Sequence, residues 1–173
     1  MTSSPRRASS VGCSTMRRSR GTARQSARLA RSRTCSDPPG SLGPVRIYVA
    51  GPMADITTVR EVQAAVVAAG HELTLDWTQD TSLTDDASRP VASATMAEED
   101  LDAVLAADAV LLVASEHEGR GMYVELGAAL ARARRGELQH VVVVGQIRHE
   151  SVFHFHPVVQ RVATVQDWLR REL

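Results

Sequence analysis

The sequence predicts a doubly wound, three-layer α/β fold, flavodoxin- or Rossmann-like, around a mostly parallel sheet of about five strands. Two observations carry this. Short runs nearly continuous in Val, Leu and Ile, such as 109–114 and 140–145, alternate with longer segments whose apolar residues recur at helical spacing. A strand that is apolar along its whole length is covered on both faces, which is the situation of a parallel sheet with crossover helices. Right-handed crossovers then put helices on both sides and gather the carboxyl ends of the strands on one edge, where such folds bind ligands.

Residues 45–51, Val-Arg-Ile-Tyr-Val-Ala-Gly, form the first expected strand, closed by Gly-Pro. The segment 56–69 carries Val59, Val62 and Val66 at helical spacing and stops at Gly70, a helix-ending signal. Residues 72–77 read as a second strand and 79–90, polar and containing Asp85, Asp86 and Pro90, as a mobile loop. A second helix is expected over 91–107, with Met96, Leu101, Val104 and Leu105 towards the core. Strand 109–114, helix 122–135 ending at Gly136, and strand 140–145 follow. A short fifth strand over 160–164 and a last helix over 165–171 complete the reading. The sequence shows no internal repeat.

The 173 residues divide into a basic tail, 1–44, and one domain, 45–173. All 20 basic residues are Arg, and the zero net charge hides an asymmetry. The tail holds nine Arg against Asp37 alone, whereas the domain holds 11 Arg against 19 acids. Rich in Ser, Arg, Thr, Gly and Pro, the tail is expected to be disordered. It reads as a transit peptide, as a basic arm for nucleic acid or anionic membrane, or as the product of a start placed too early. The last is favoured, because a compact domain begins cleanly at Val45. An acidic domain speaks against binding a nucleic-acid polymer, since phosphate contacts need a basic surface. Aromatics make up only 3% of the chain, so the core must be built from Val, Leu and Ala.

Both cysteines, Cys13 and Cys35, lie in the tail, leaving the domain without a disulfide, a thiolate metal site or a cysteine nucleophile. No apolar run approaches the roughly 18 residues of a membrane span. A cytoplasmic protein with no membrane partner is expected. There is no Gly-x-Gly-x-x-Gly, no P-loop, no Lys for Schiff-base chemistry and no Gly-x-Ser-x-Gly elbow. His149, Glu150, His154 and His156 match no established zinc spacing, and 153–157 reads as a loop or short edge strand.

What remains is a carboxylate-based site with a tyrosine. The strand ends collect Tyr48 and Gly51 after strand one, Asp76 and Trp77 after strand two, and 116–125 after strand three. In that last turn Gly119 and Gly121 allow a sharp bend or the close approach of a ligand. Glu125 is read in the first turn of the following helix, where backbone N–H groups favour an acid. That favourable position alone would explain it. Asp100 sits in a helix, and nothing in its spacing forces it to the edge; Asp108, opening strand three, is assigned to structure. Trp77 suits a stacking surface for a base and a core position equally.

Three stretches resemble the nucleoside 2-deoxyribosyltransferase-like family, which includes the 2'-deoxynucleoside 5'-monophosphate N-glycosidases. They are Ile47-Tyr-Val-Ala-Gly-Pro52, Glu99-Asp-Leu-Asp-Ala-Val-Leu-Ala-Ala-Asp-Ala-Val110 and Gly119-Arg-Gly-Met-Tyr-Val-Glu-Leu-Gly-Ala-Ala129. The resemblance covers roughly residues 45–145 and lies in the order and spacing of these short motifs. It implies Glu125 as nucleophile, Tyr48 orienting it, and Asp100 contacting the sugar or assisting the leaving base. It further implies a nucleoside or nucleotide substrate met by Gly51, Trp77, Gly119, Gly121 and Met122, no metal or other cofactor, and a homodimer contacted through Met122 and Tyr123. The chemistry agrees, because oxocarbenium character at C1' is stabilised or captured by an adjacent carboxylate while a second carboxyl protonates the leaving base. The turn after Gly51 departs from the family pattern. It lacks the Ser and Arg with which monophosphate-specific members hold phosphate, leaving Arg60 or Arg120 as substitutes. Glu116 and Glu118 stand near the place of an acid that contacts the base in transferase members. The same fold could instead carry a catalytically inactive nucleotide-binding or sensor domain.

Overall fold

The computed structural model describes residues 43–79 and 89–173. The tail 1–42 and most of the expected loop, 80–88, lie outside the described residues.

Five strands form one sheet in the order β2-β1-β3-β4-β5, every pair parallel. They are β1 (Arg46–Ala50), β2 (Glu72–Leu73), β3 (Ala109–Val113), β4 (His140–Val144) and β5 (Val159–Val162). The helices are α1 (Ile56–Ala68), α2 (Pro90–Ala106), α3 (Arg120–Arg134) and α4 (Val165–Glu172). This order reverses between β1 and β3, the switch point at which doubly wound sheets open a ligand crevice. The three-layer α/β prediction holds.

Alternation along the strands sorts the core into two layers. Ile47, Val49, Leu111, Val113, Val142 and Val144 pack with α1 and α4 through Val59, Val62, Val66, Val165 and Trp168. Tyr48, Ala50, Val110, Leu112, Val141 and Val143 face the other way, against Ala103, Val104, Leu126, Ala129 and Leu130 of α2 and α3. Tyr48 therefore points into the layer occupied by α2 and α3. Gly70 and Gly136 take φ of 86° and 71° just beyond α1 and α3, the left-handed ending expected of both.

Several expectations are corrected. The second strand stops at Leu73 instead of reaching residue 77, and Trp77–Gln79 form a 3-10 turn. Asp76 holds that turn: its carboxylate accepts from the Thr78 hydroxyl (2.6 Å) and backbone N–H (3.2 Å), a local alternative to continuing the strand ladder to residue 77. Leu101 and Leu105 of α2 are exposed, not in the core. The inward face is Asp100, Ala103, Val104 and Ala107, an i, i+3, i+4, i+7 set that leaves the two leucines about 100° further round. Helix α3 begins at Arg120, so Glu125 lies in its second turn and not at its N-terminus. Residues 152–155 form a 3-10 turn capped by Ser151, with His154 buried and both flanking phenylalanines exposed.

Asp108 is structural, as read. Its carboxylate takes the Arg46 guanidinium at 2.7 and 3.0 Å and the Arg46 backbone N–H at 3.2 Å.

Candidate active site

At the switch point the Tyr48 hydroxyl stands between two carboxyl groups. Its oxygen is 3.1 Å from Asp100 Oδ1 and 3.0 Å from Glu125 Oε1. Three elements meet here because each turns its inward face to the same layer: β1 supplies Tyr48, α2 supplies Asp100 and α3 supplies Glu125. Tyr48 is fully buried, so its ring is clamped by the core while its hydroxyl fixes the acids. The three residues singled out by the sequence are thus one cluster, and Asp100, the least secure on spacing, is joined to it directly.

Burial dominates the electrostatics. Glu125 is pushed up to about 7, first by desolvation and then by the charge of Asp100, with the Tyr48 hydrogen bond opposing. Asp100 is also raised, by burial first, against the Tyr48 bond and reinforced by nearby Glu99. The Tyr48 phenol is held far above its ordinary range by burial and by the two acids. A carboxyl poised near neutrality in a cleft, as Glu125 is, is the kind of group acid–base chemistry requires.

A cavity of about 520 Å³ opens over this cluster. Asp100, Glu125, Gly51, Trp77, Gly119, Gly121 and Met122 all line it, so every expected contact residue borders one space. Tyr48 does not line it and acts from behind. Met122 has a double position: it belongs to the buried core, only 7% exposed, and borders this cavity. A second cavity of about 390 Å³ shares Trp77, Met96 and Asp100 with the first and adds Asp76, Gln79 and Glu99. Trp77 is half-buried; its Nε1 donates to the Val49 carbonyl at 2.8 Å while the residue borders both cavities.

The glycines differ in what they permit. A Cβ on Gly119 would stand 3.0 Å from Pro52 Cα and 3.3 Å from Pro52 N, so the turn after β3 packs backbone to backbone on the turn after β1. One on Gly51 would run into Val59 Cγ2, whereas Gly121 has open space.

Of the two candidate cations, Arg60 is committed elsewhere, donating to the Thr78 carbonyl (2.6 Å) and hydroxyl (3.3 Å). Arg120 lines the cavity. Glu118 lines it too, whereas Glu116 pairs with Arg148 at 2.9 Å. Met53, which follows Gly-Pro at the end of strand one on the expected ligand edge, lines the cavity too; Ala54 beside it and the cavity position of Met96, expected towards the core, were not foreseen. Among the described residues no group of three His, Cys, Asp or Glu is placed to hold a metal. No helix among them is long and apolar enough to cross a membrane.

No protein-family model and no curated protein sequence matches the chain. Among solved structures it is similar to the CMP N-glycosidase BcmB of Clostridium botulinum. The two are 12% identical, with 73% of this chain and 96% of that chain covered and a TM-score of 0.45. The reading of the site rests on its own geometry.

Proposed function

We propose that this chain cleaves the N-glycosidic bond of a nucleoside or nucleotide, with Glu125 as nucleophile and Asp100 as the acid for the departing base. The observation that carries the reading is the Tyr48 hydroxyl holding two half-buried carboxyls side by side under a cavity of substrate size. Contacts of 3.0 and 3.1 Å to one oxygen set Glu125 Oε1 and Asp100 Oδ1 closer together than the roughly 6.5–9.5 Å that an inverting enzyme leaves for its water. The spacing favours retention through a glycosyl ester on Glu125.

The order of events follows from what each group faces. Glu125 attacks C1' as the C1'–N bond opens, and the electron pair leaves with the base nitrogen. Asp100, at the seam of both cavities, supplies the proton that makes the base a good leaving group. Trp77 and Met96, which border both spaces, offer apolar surface to a base, while Gly119 and Gly121 let the sugar approach the α3 turn. Water or a second base then takes the sugar from Glu125, and the hydrolase and transferase outcomes differ only in that acceptor. The geometry favours this over an idle binding module, which has no use for two adjacent, half-buried acids that desolvation pushes towards the protonated form.

The test is chromatography of reactions with a panel of nucleosides and 5'-monophosphates, each with and without a second free base. Base release lost in Glu125→Gln supports the reading, and a new nucleoside formed only with added base identifies a transferase. Release that persists in Glu125→Gln, or binding without turnover across the panel, contradicts it.

A further inference from the structure

Tyr48 carries one hydroxyl hydrogen but faces two carboxyl oxygens, Asp100 Oδ1 at 3.1 Å and Glu125 Oε1 at 3.0 Å. It can donate to only one of them. Were both acids ionised, the other contact would oppose a hydroxyl lone pair and a carboxylate beside a fully buried ring. All three oxygens are satisfied when one acid keeps its proton and donates to Tyr48 while Tyr48 donates to the other. Two hydrogens then lie in line, and both can shift together without a phenolate ever forming.

Resting on the N-glycoside reading, we propose that Tyr48 is a proton bridge, which passes a proton stored on the Glu125–Asp100 pair from Glu125 to Asp100 as the reaction begins. The Glu125 O–H bond breaks and a hydrogen arrives at Tyr48 Oη; the hydrogen already there moves to Asp100 Oδ1. Glu125 becomes the carboxylate that an attack on C1' requires, and Asp100 becomes the acid that the leaving base requires. When the C1'–N bond breaks, its electron pair goes to the base, a Glu125 oxygen bonds to C1', and Asp100 transfers the stored proton to the base. Nothing else is consumed.

Two features set the direction. Asp100 lines both cavities while Glu125 lines only the larger, so Asp100 is the acid with access to a group departing into the second space. The charged groups around them agree. Glu99 shares the second cavity with Asp100 and opposes its ionisation, whereas Arg120 lines only the larger cavity, the one space that Glu125 borders. A tyrosine that merely positioned Glu125 would have no reason to touch Asp100.

Infrared spectroscopy of the full chain, read in the protonated-carboxyl region, tests the shared proton without relying on turnover. The expected result is one protonated carboxyl at neutral pH, lost in Glu125→Gln, and shifted in frequency in Tyr48→Phe because its hydrogen-bond partner is gone. Tyr48→Phe keeps the buried ring, and an unchanged thermal melt verifies the fold. With substrate, the same variant should lose roughly 100-fold or more in kcat, the scale of acid–base catalysis, with KM little changed. Its pH–rate profile should also lose the wild-type bell shape. No protonated carboxyl in the wild type, or a band and pH profile indifferent to Tyr48→Phe, overturns the bridge even if base is released. A Tyr48-dependent band in a protein that cleaves no nucleoside or nucleotide overturns the N-glycoside reading and, with it, the catalytic transfer.

Discussion

Glu125→Gln should make the protein more stable at alkaline pH, and the structure gives the size of the effect. Burial and the Asp100 charge lift Glu125 from 4.5 to about 7. At about 1.4 kcal/mol per pH unit, the folded state above pH 7 carries a penalty of about 3 kcal/mol for keeping this carboxylate ionised. The sign follows from proton binding. Between pH 4.5 and about 7 the folded protein binds more protons at this site than the unfolded chain does, so stability falls as pH rises through that window. The favourable contribution is fully present below 4.5 and gone above about 7. A neutral amide of the same shape escapes the penalty. Thermal melts at pH 8 should therefore place Glu125→Gln roughly 5–10 °C above the wild type. The gap should close towards pH 5, where the wild-type side chain is itself neutral. Equal or lower stability of Glu125→Gln at pH 8, or a gap independent of pH, refutes the argument that this acid is held against its own solvation.

Other perturbations probe the supports of the site. The bell-shaped pH–rate profile expected of a singly protonated pair should have its alkaline limb near pH 7, where Glu125 titrates; flat activity from pH 6 to 9 would contradict it. Gly119→Ala forces a Cβ against Pro52 backbone and should cut kcat/KM at least tenfold, about 1.4 kcal/mol of transition-state stabilisation. Gly121→Ala, with open space, should show a much smaller loss, and equal losses would show the packing argument to be wrong. Thr78→Val removes a hydroxyl that donates to Asp76 and accepts from Arg60, and so should loosen the turn carrying Trp77. KM should rise more than kcat falls, and Trp77 fluorescence, read in a Trp168→Phe background, should shift. Arg46→Ala breaks an exposed pair and should change stability by about 1 kcal/mol or less, with activity intact.

The sheet was readable because its strands are apolar along nearly their whole length. Those runs needed no tertiary information to be identified. Tyr48 stands in the middle of β1 and Glu125 in the second turn of α3, and both were legible through the family resemblance of the short motifs that contain them, not through topology alone. Asp100 was harder. A helical residue reaches the site only if the helix has the right phase, and the phase of α2 was misjudged. Leu101 and Leu105 look like core residues, yet the buried stripe is set by Ala103, Val104 and Ala107 with Asp100 on the same side. Glu125 was found for an incomplete reason. An N-terminal position would have made it a dipole-stabilised surface charge, whereas one more turn of helix places it against Tyr48. The expected end of the second strand is instead a turn held by a side-chain bond, Thr78 to Asp76, which no periodicity records. The network of Arg60, Gln63, Asp76 and Thr78 behind Trp77 was invisible for the same reason: its members are scattered through the chain and polar, and only folding gives them partners.

The most direct test of the central claim is mass spectrometry of protein quenched during turnover of a nucleoside or 5'-monophosphate that releases free base. A glycosyl ester, equal in mass to the transferred sugar, is expected on the peptide containing Glu125 and absent when Glu125→Gln is treated in the same way. Turnover with the adduct on another residue, or turnover that continues in Glu125→Gln, would contradict it.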